Sequence, residues 1–150
     1  MSSHFNHNNF KSIFLNYLVR IGEGSRKISR SKKLSFPLLQ PSFLPDNFSL
    51  DIVRVYQESG QYNNVYLEYA NDAGEIFKVS ELFIGDAEVR RELANDAGII
   101  KEIIIGTDPA VLVLMPSDLS YLEWIKGNVK VLISGKLSEQ DIIRVADSLH

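Results

Sequence analysis

The stretch of residues 124–149 constrains the fold most, because strand, turn, strand and capped helix follow one another within it without interruption. Residues 121–126, which overlap the start of this stretch, and residues 129–133 are rich in β-branched, aromatic and leucine side chains. They flank Gly127-Asn128, a dipeptide whose glycine supplies the positive φ angle of a two-residue hairpin turn. The sequence therefore predicts a β-hairpin over residues 121–133.

The period of the apolar residues changes after Ser134-Gly135, which predicts a C-terminal helix. Ser138 occupies the N-cap position, and Asp141 three residues later completes a variant of the capping box. The apolar stripe consists of Ile142, Val145, Ala146 and Leu149. Because a helix of about a dozen residues is marginal in isolation, this stripe is expected to pack on a sheet, with the hairpin as the nearest candidate.

Five further runs of β-favouring residues predict the rest of that sheet. They span residues 50–57, 64–70, 75–80, 99–105 and 110–115. With the hairpin they make about seven strands, joined as meanders and hairpins. The predicted fold class is therefore α+β, an antiparallel sheet packed by a C-terminal helix, with an N-terminal amphipathic helix and a short helix over residues 86–94.

The N-terminal region differs from the rest of the chain in charge. Apolar residues recur at steps of three and four over residues 5–21, which predicts an amphipathic helix. Residues 1–33 carry seven basic residues and one acidic, a net charge of +6, whereas residues 34–150 carry nine and eighteen, a net charge of −9. We predict a basic helix and linker over 1–33 and a single domain over 34–150. Such a division of charge is typical of contact with an anionic membrane or nucleic acid, or of a basic region that is attracted to its own acidic domain or simply solvated. The side chains that could contact an anionic surface are Arg26, Lys27, Arg30, Lys32 and Lys33.

Two interpretations of this basic region stay open at the level of sequence. The apolar face of the N-terminal helix either docks on the protein's own core, which is favoured, or inserts into a membrane interface. Between helix and sheet, Pro37, Pro41 and Pro45 predict an extended segment pinned by its bulky apolar neighbours.

The residue types of common active sites are scarce. The chain has no cysteine, and its three histidines are His4, His7 and His150. Glu68, Asp72 and Glu75 lie close around one turn, where a solvated hairpin tip is expected rather than a pair of catalytic carboxylates. We therefore expect no enzymatic activity, no cofactor and no metal site.

Other functional classes are also disfavoured. Several tyrosines could form a stacking platform, but the acidic charge around them repels nucleic acid, and Trp124 is expected to pack beneath the helix. As given, the sequence predicts a soluble protein, because no apolar run approaches the roughly 18–20 residues that span a bilayer.

Several blocks of the sequence resemble a known family. Residues 36–45, FPLLQPSFLP, are similar to its opening pattern, and 65–69, 105–106 and 110–112 resemble its central strands. The closing block is the most specific, with a tryptophan, then ISGKLS at 133–138, then a helix ending in an alanine and a serine. On these residues the chain resembles the bacterial domain-of-unknown-function family 4367.

The resemblance implies an extracytoplasmic domain of the kind found in anti-sigma-factor-like and sporulation-associated proteins. It implies sensing or protein interaction in envelope signalling, an unidentified protein partner, and no catalytic residues. The residues that match the family pattern, expected to be structural, are Pro37, Pro41, Pro45, Trp124, Ser134, Gly135, Ser138, Asp141, Ala146 and Ser148.

Overall fold

The computed structural model describes residues 17–20, 34–58, 61–85 and 98–150, with the backbone alone for 17–20, 57 and 58. These residues form one antiparallel sheet and one helix. The elements are β1 (Tyr17–Arg20), β2 (Ser49–Glu58), β3 (Gln61–Ala70), β4 (Ile76–Phe83), β5 (Ile99–Ile105), β6 (Asp108–Leu114), β7 (Ser120–Lys126), β8 (Val129–Gly135) and α1 (Glu139–Asp147). The strand order across the sheet is β1-β2-β3-β4-β8-β7-β6-β5.

The predicted α+β class is confirmed, and the seven predicted strands are β2 to β8. The structure has one further strand, β1, which was not predicted. It pairs with β2 and occupies the last part of the region where an N-terminal helix was predicted. The remainder of that helix and most of the basic linker lie outside the described residues, as does the short helix predicted over 86–94.

The sheet has two faces with different functions in the fold. Alternate residues along each strand point to opposite faces, and the pairing register aligns them across the strands. We call the face that carries Trp124 the core face and the opposite face, which carries Glu123, the outer face. The core face collects the largest fully buried side chains, including Trp124, Phe77, Leu67, Leu112, Leu122 and Ile133.

Two elements cover the core face, each over a different part of the sheet. Helix α1 lies against β7 and β5 and buries Ile142, Val145 and Ala146. The extended segment 34–48 covers the part near β3 and β4, where Phe36 stacks on Phe83. The prediction of an extended, apolar-pinned segment is thus confirmed.

The helix and the extended segment are also joined to each other. Pro41 and Leu149 form an antiparallel bridge, and the Phe43 N–H donates to the Ser148 hydroxyl at 3.1 Å. The Ser148 hydroxyl in turn donates to the Val145 carbonyl at 2.8 Å. The Arg144 guanidinium lies 3.9 Å from the centre of the Phe43 ring. The two covers of the core therefore act as one layer.

The local signals at the C-terminal end behave as predicted. Lys126 pairs with Val129, so Gly127 and Asn128 form a two-residue turn, in which Gly127 has a φ of 61°. Ser138 is the N-cap of α1, and its hydroxyl accepts a hydrogen bond from the Asp141 N–H at 3.1 Å. Trp124 is buried in the same core cluster as Ile142 and Val145, which confirms its predicted packing beneath the helix.

Candidate functional site

The free end of the sheet at β5 is the least protected apolar part of the described structure. On one side β5 pairs with β6 along all seven residues, and no described strand pairs with its other side. Three of its five isoleucines are strongly exposed: Ile99 by 58%, Ile100 by 37% and Ile104 by 62%. We call the outward side of β5 with these side chains the β5 edge.

The charged residues of β5 lie on opposite faces and have different surroundings. The ammonium of Lys101, on the core-face side, contacts both carboxylate oxygens of Glu139, at 2.8 and 3.0 Å. This pair fastens β5 to the first turn of α1. Glu102 points to the outer face, between Ile100 and Ile104, and is exposed. On the outer face of β5, an acidic side chain thus lies between two apolar side chains.

Polar side chains line the outer face further along the sheet. The guanidinium of Arg54 lies 3.6 Å from the Glu68 carboxylate, and Lys130 lies 3.0 Å from Glu123, with both side chains of that pair almost buried. Opposite charges on neighbouring strands stabilise a sheet by a few tenths to about 1 kcal/mol a pair. We therefore assign these two ion pairs a role in stabilising the sheet.

A groove of about 300 Å³ crosses the outer face, lined in part by Glu68, Lys78, Tyr121 and Ser134. The register places these four side chains in one row across the sheet, in the order Glu68 on β3, Lys78 on β4, Ser134 on β8 and Tyr121 on β7. Such a row could receive a small polar group, but its carboxylate is already paired with Arg54. The β5 edge is the stronger candidate, because no described strand pairs with its outward side.

Glu81 is the most unusual titratable residue of the described chain. It lies on the core face of β4, fully buried, with Val65 and Val131 as its cross-strand neighbours. Its Oε1 accepts a hydrogen bond from the Leu39 N–H at 2.7 Å, and its Oε2 has no hydrogen-bond partner among the described residues. Burial raises the pKa of Glu81 to about 8, opposed by the hydrogen bond from Leu39.

Glu81 therefore connects the core to the extended segment that covers it. At neutral pH most of this carboxyl group is protonated, since its pKa of about 8 lies above the pH. Burial, and secondarily the charge of Glu81, also raises the pKa of the Tyr69 phenol. We assign Glu81 a structural role, because its hydrogen bond with Leu39 holds segment 34–48 against the core.

Of the tyrosines considered for a stacking platform, Tyr69 lies on the opposite face of the sheet from Tyr56 and Tyr66. Tyr69 lies on the core face, stacked on Phe77 with 4.8 Å between the ring centres. Tyr56 and Tyr66 meet edge to face at 5.2 Å between ring centres. Burial is the main cause that raises the pKa of Tyr56, followed by Tyr66.

The family-pattern residues that the structure describes have structural surroundings. A Cβ added at Gly135 would lie 2.6 Å from the Phe77 Cβ, so only glycine allows β8 to approach β4 there. Pro37, Pro41 and Pro45 lie in the extended segment, and Ser138 and Ser148 cap and close the helix. Ser134 lines the groove. Arg26, Lys27, Arg30, Lys32 and Lys33 lie outside the described residues.

Sequence reasoning identified β5 as a strand but missed its exposure, and it missed the burial of Glu81. The sequence does contain a signal for Glu81. It follows Phe77 and Val79 at steps of two, so it lies on the same face of the strand as these apolar residues, where a carboxylate is unusual. No sequence signal distinguishes an edge strand from a buried strand in a run as apolar as residues 99–105.

The described residues contain neither a cluster of metal-binding side chains nor a helix that could cross a membrane. In ranges 34–58, 61–85 and 98–150, no three histidine or acidic side chains are grouped so that they could hold a metal ion. Within the described part of the chain, no helix has the length and apolar character needed to cross a membrane.

The fold and the exposed edge define a small α+β domain built on an eight-stranded antiparallel sheet. The model of the family described as "Domain of unknown function (DUF4367)" matches residues 38–149, so this chain belongs to that family. The matched region begins within the extended segment and ends at Leu149, so it includes residues 38–48 of that segment, strands β2 to β8 and α1. No curated protein and no solved structure matches the chain.

Proposed function

We propose that this protein is a non-enzymatic protein-interaction domain of the envelope-signalling type, which binds an extended segment of a protein partner along the β5 edge. The observation that carries the proposal is the exposure of Ile99, Ile100 and Ile104 on a strand that no described strand covers. The envelope-signalling part is supported by the family resemblance.

Sheet edges in monomeric proteins are normally protected. Very short strands, prolines, bulges or charged side chains keep other chains from pairing there. β5 has seven residues and no proline, its pairing with β6 runs without a register shift, and its one lysine is held by Glu139. Apart from the exposed charge of Glu102, this edge lacks these protections. It is suited to strand addition, in which the backbone of an extended ligand supplies the missing hydrogen bonds.

The energetics of strand addition fit this edge. Full burial of an isoleucine side chain contributes about 1.5–3 kcal/mol, so completing the burial of three partly exposed isoleucines contributes a few kcal/mol. Each added backbone hydrogen bond contributes roughly 0.5–1.5 kcal/mol net. Against these gains stands the cost of ordering the ligand, which is why a strand of several residues is needed.

A second candidate function is supported by the division of charge in the sequence. The net charge of +6 over residues 1–33 suits an anionic lipid surface, and the protein would then be a peripheral membrane protein held by that region. Its binding to anionic vesicles would weaken with salt and with replacement of the five basic residues of 26–33 by glutamine. Only the replacement of those five residues separates this function from strand addition at β5, because it leaves the sequence of β5 unchanged, whereas salt also screens the charges of the edge.

A displayed library of random nine-residue peptides, selected against the full chain, tests the main proposal. Selected peptides are expected to slow hydrogen exchange of β5 amides. They should bind at least tenfold more weakly to the double variant Ile100→Thr/Ile104→Thr, which keeps β-branched residues but removes exposed apolar surface. The matched control is Ile76→Thr, at an exposed isoleucine on β4 far from the β5 edge. Peptides that bind the double variant and the control equally well would refute the proposal.

A further inference from the structure

We infer that the strand recognised at the β5 edge carries a basic residue between two apolar residues, with Glu102 as the residue that selects it. This inference rests on the proposed function and adds the chemistry of the partner. In the same inference, Glu102 also disfavours the pairing of β5 with a second copy of this chain.

The outer face of the β5 edge sets the pattern of a matching strand. Ile100, Glu102 and Ile104 alternate along β5 and share this face, because side chains two residues apart point to the same side. A strand added to β5 places one side chain directly opposite each of them. Cross-strand pairs favour β-branched or aromatic residues opposite isoleucine and an opposite charge opposite glutamate.

The other charge of β5 does not compensate Glu102 at this face. Lys101 points to the core-face side, where both oxygens of the Glu139 carboxylate hold its ammonium group. The incoming strand therefore meets an acidic centre on the outer face. Residues 34–150 also carry a net charge of −9, which attracts a basic segment over longer distances.

A second copy of the chain is a poorer occupant of the same edge. In the antiparallel register that pairs Ile100 with Ile104 of the second copy, the two Glu102 side chains oppose each other, which is destabilising. Moving the centre of pairing by one residue either opposes the two Lys101 side chains or places Glu102 against an isoleucine. Each of these three registers, in which both copies turn the same face of the sheet to the same side, thus leaves a charge poorly paired, which disfavours self-association through β5.

The peptides selected against the full chain test the inference through their sequences. The expected result is enrichment of lysine or arginine at one position, with isoleucine, valine or an aromatic residue two positions away on each side. For a selected peptide, exchange of its basic residue for glutamate should weaken binding about 3- to 10-fold. Glu102→Lys should reverse this preference by a similar factor, and Glu102→Gln should remove it.

The outcomes separate the inference from the function on which it rests. Peptides that need Ile100 and Ile104 but show no charge preference overturn the inference and leave the proposed function in place. Peptides insensitive to the isoleucine substitutions overturn both. The inference also fails if the free chain sediments as a dimer that Ile100→Thr/Ile104→Thr dissociates, or if slow exchange of β5 amides in the free monomer shows that its own chain occupies the edge.

Discussion

Strands β8 and β5 have similar compositions but opposite surroundings. Each has seven residues, and each is dominated by β-branched and other aliphatic side chains. β8 lies between β4 and β7, and Val129, Val131 and Ile133 are buried on its core face. β5 lies at the end of the sheet, and of its five isoleucines only Ile105 is buried. The comparison shows that position in the sheet, and not composition, decides whether an apolar strand forms core or stays exposed at an edge.

The largest expected effect lies in the interior, at the tryptophan of β7 next to β8. Trp124→Ala should lower the free energy of unfolding by about 3–5 kcal/mol, because the side chain is almost fully buried in the core. Urea unfolding followed by circular dichroism measures this change, since the chain has no other tryptophan to report by fluorescence. A loss below about 1 kcal/mol would show that β7 is not part of the interior.

The next effect lies at Glu81, a carboxyl group that is fully buried in the interior. Because burial raises the pKa of Glu81 from 4.5 to about 8, its ionisation is harder in the folded than in the unfolded protein. Its contribution to stability is therefore complete below about pH 4.5, decreases as the pH rises and levels off above about pH 8. Between pH 5 and pH 9 this contribution should fall by roughly 2–4 kcal/mol, taking about 1.4 kcal/mol for each pKa unit.

Variants isolate the Glu81 contribution from those of other groups. Glu81→Gln should remove this part of the pH dependence of unfolding, because the amide is uncharged and its oxygen can still accept the Leu39 N–H. Ile104→Thr, at the exposed edge, changes no ionisable group and should therefore leave the pH dependence as in the wild type. If Glu81→Gln and the wild type lose stability in parallel over pH 5–9, Glu81 does not have the raised pKa described above.

The smallest expected effect is at the edge itself. Ile104→Thr should change the free energy of unfolding by less than about 0.5 kcal/mol, because the side chain is 62% exposed and threonine keeps the β-branched shape. The same substitution at Ile133 of β8 should cost about 2 kcal/mol or more, since it removes buried apolar volume and buries a hydroxyl. Equal losses at the two sites in urea unfolding would mean that β5 belongs to the core.

Local signals accounted for those parts of the fold whose causes lie close together in the sequence. The turn at Gly127, the cap at Ser138 and the stripe of α1 each depend on residues only a few positions apart, and each was predicted. The long-range contacts were not, among them the hydrogen bond between Leu39 and Glu81, which are 42 residues apart. No pattern of apolar residues specifies which strand comes to lie beside which.

The sequence by itself determined the strands β2 to β8 and the final helix α1, because alternation, turn residues and capping residues act within a few positions along the chain. It also determined the acidic charge of residues 34–150. Only the tertiary structure decided the strand order, which places β8 inside the sheet and β5 at its end. The reason is physical: exposure depends on which strands and covers lie on each side, and those neighbours come from distant parts of the chain.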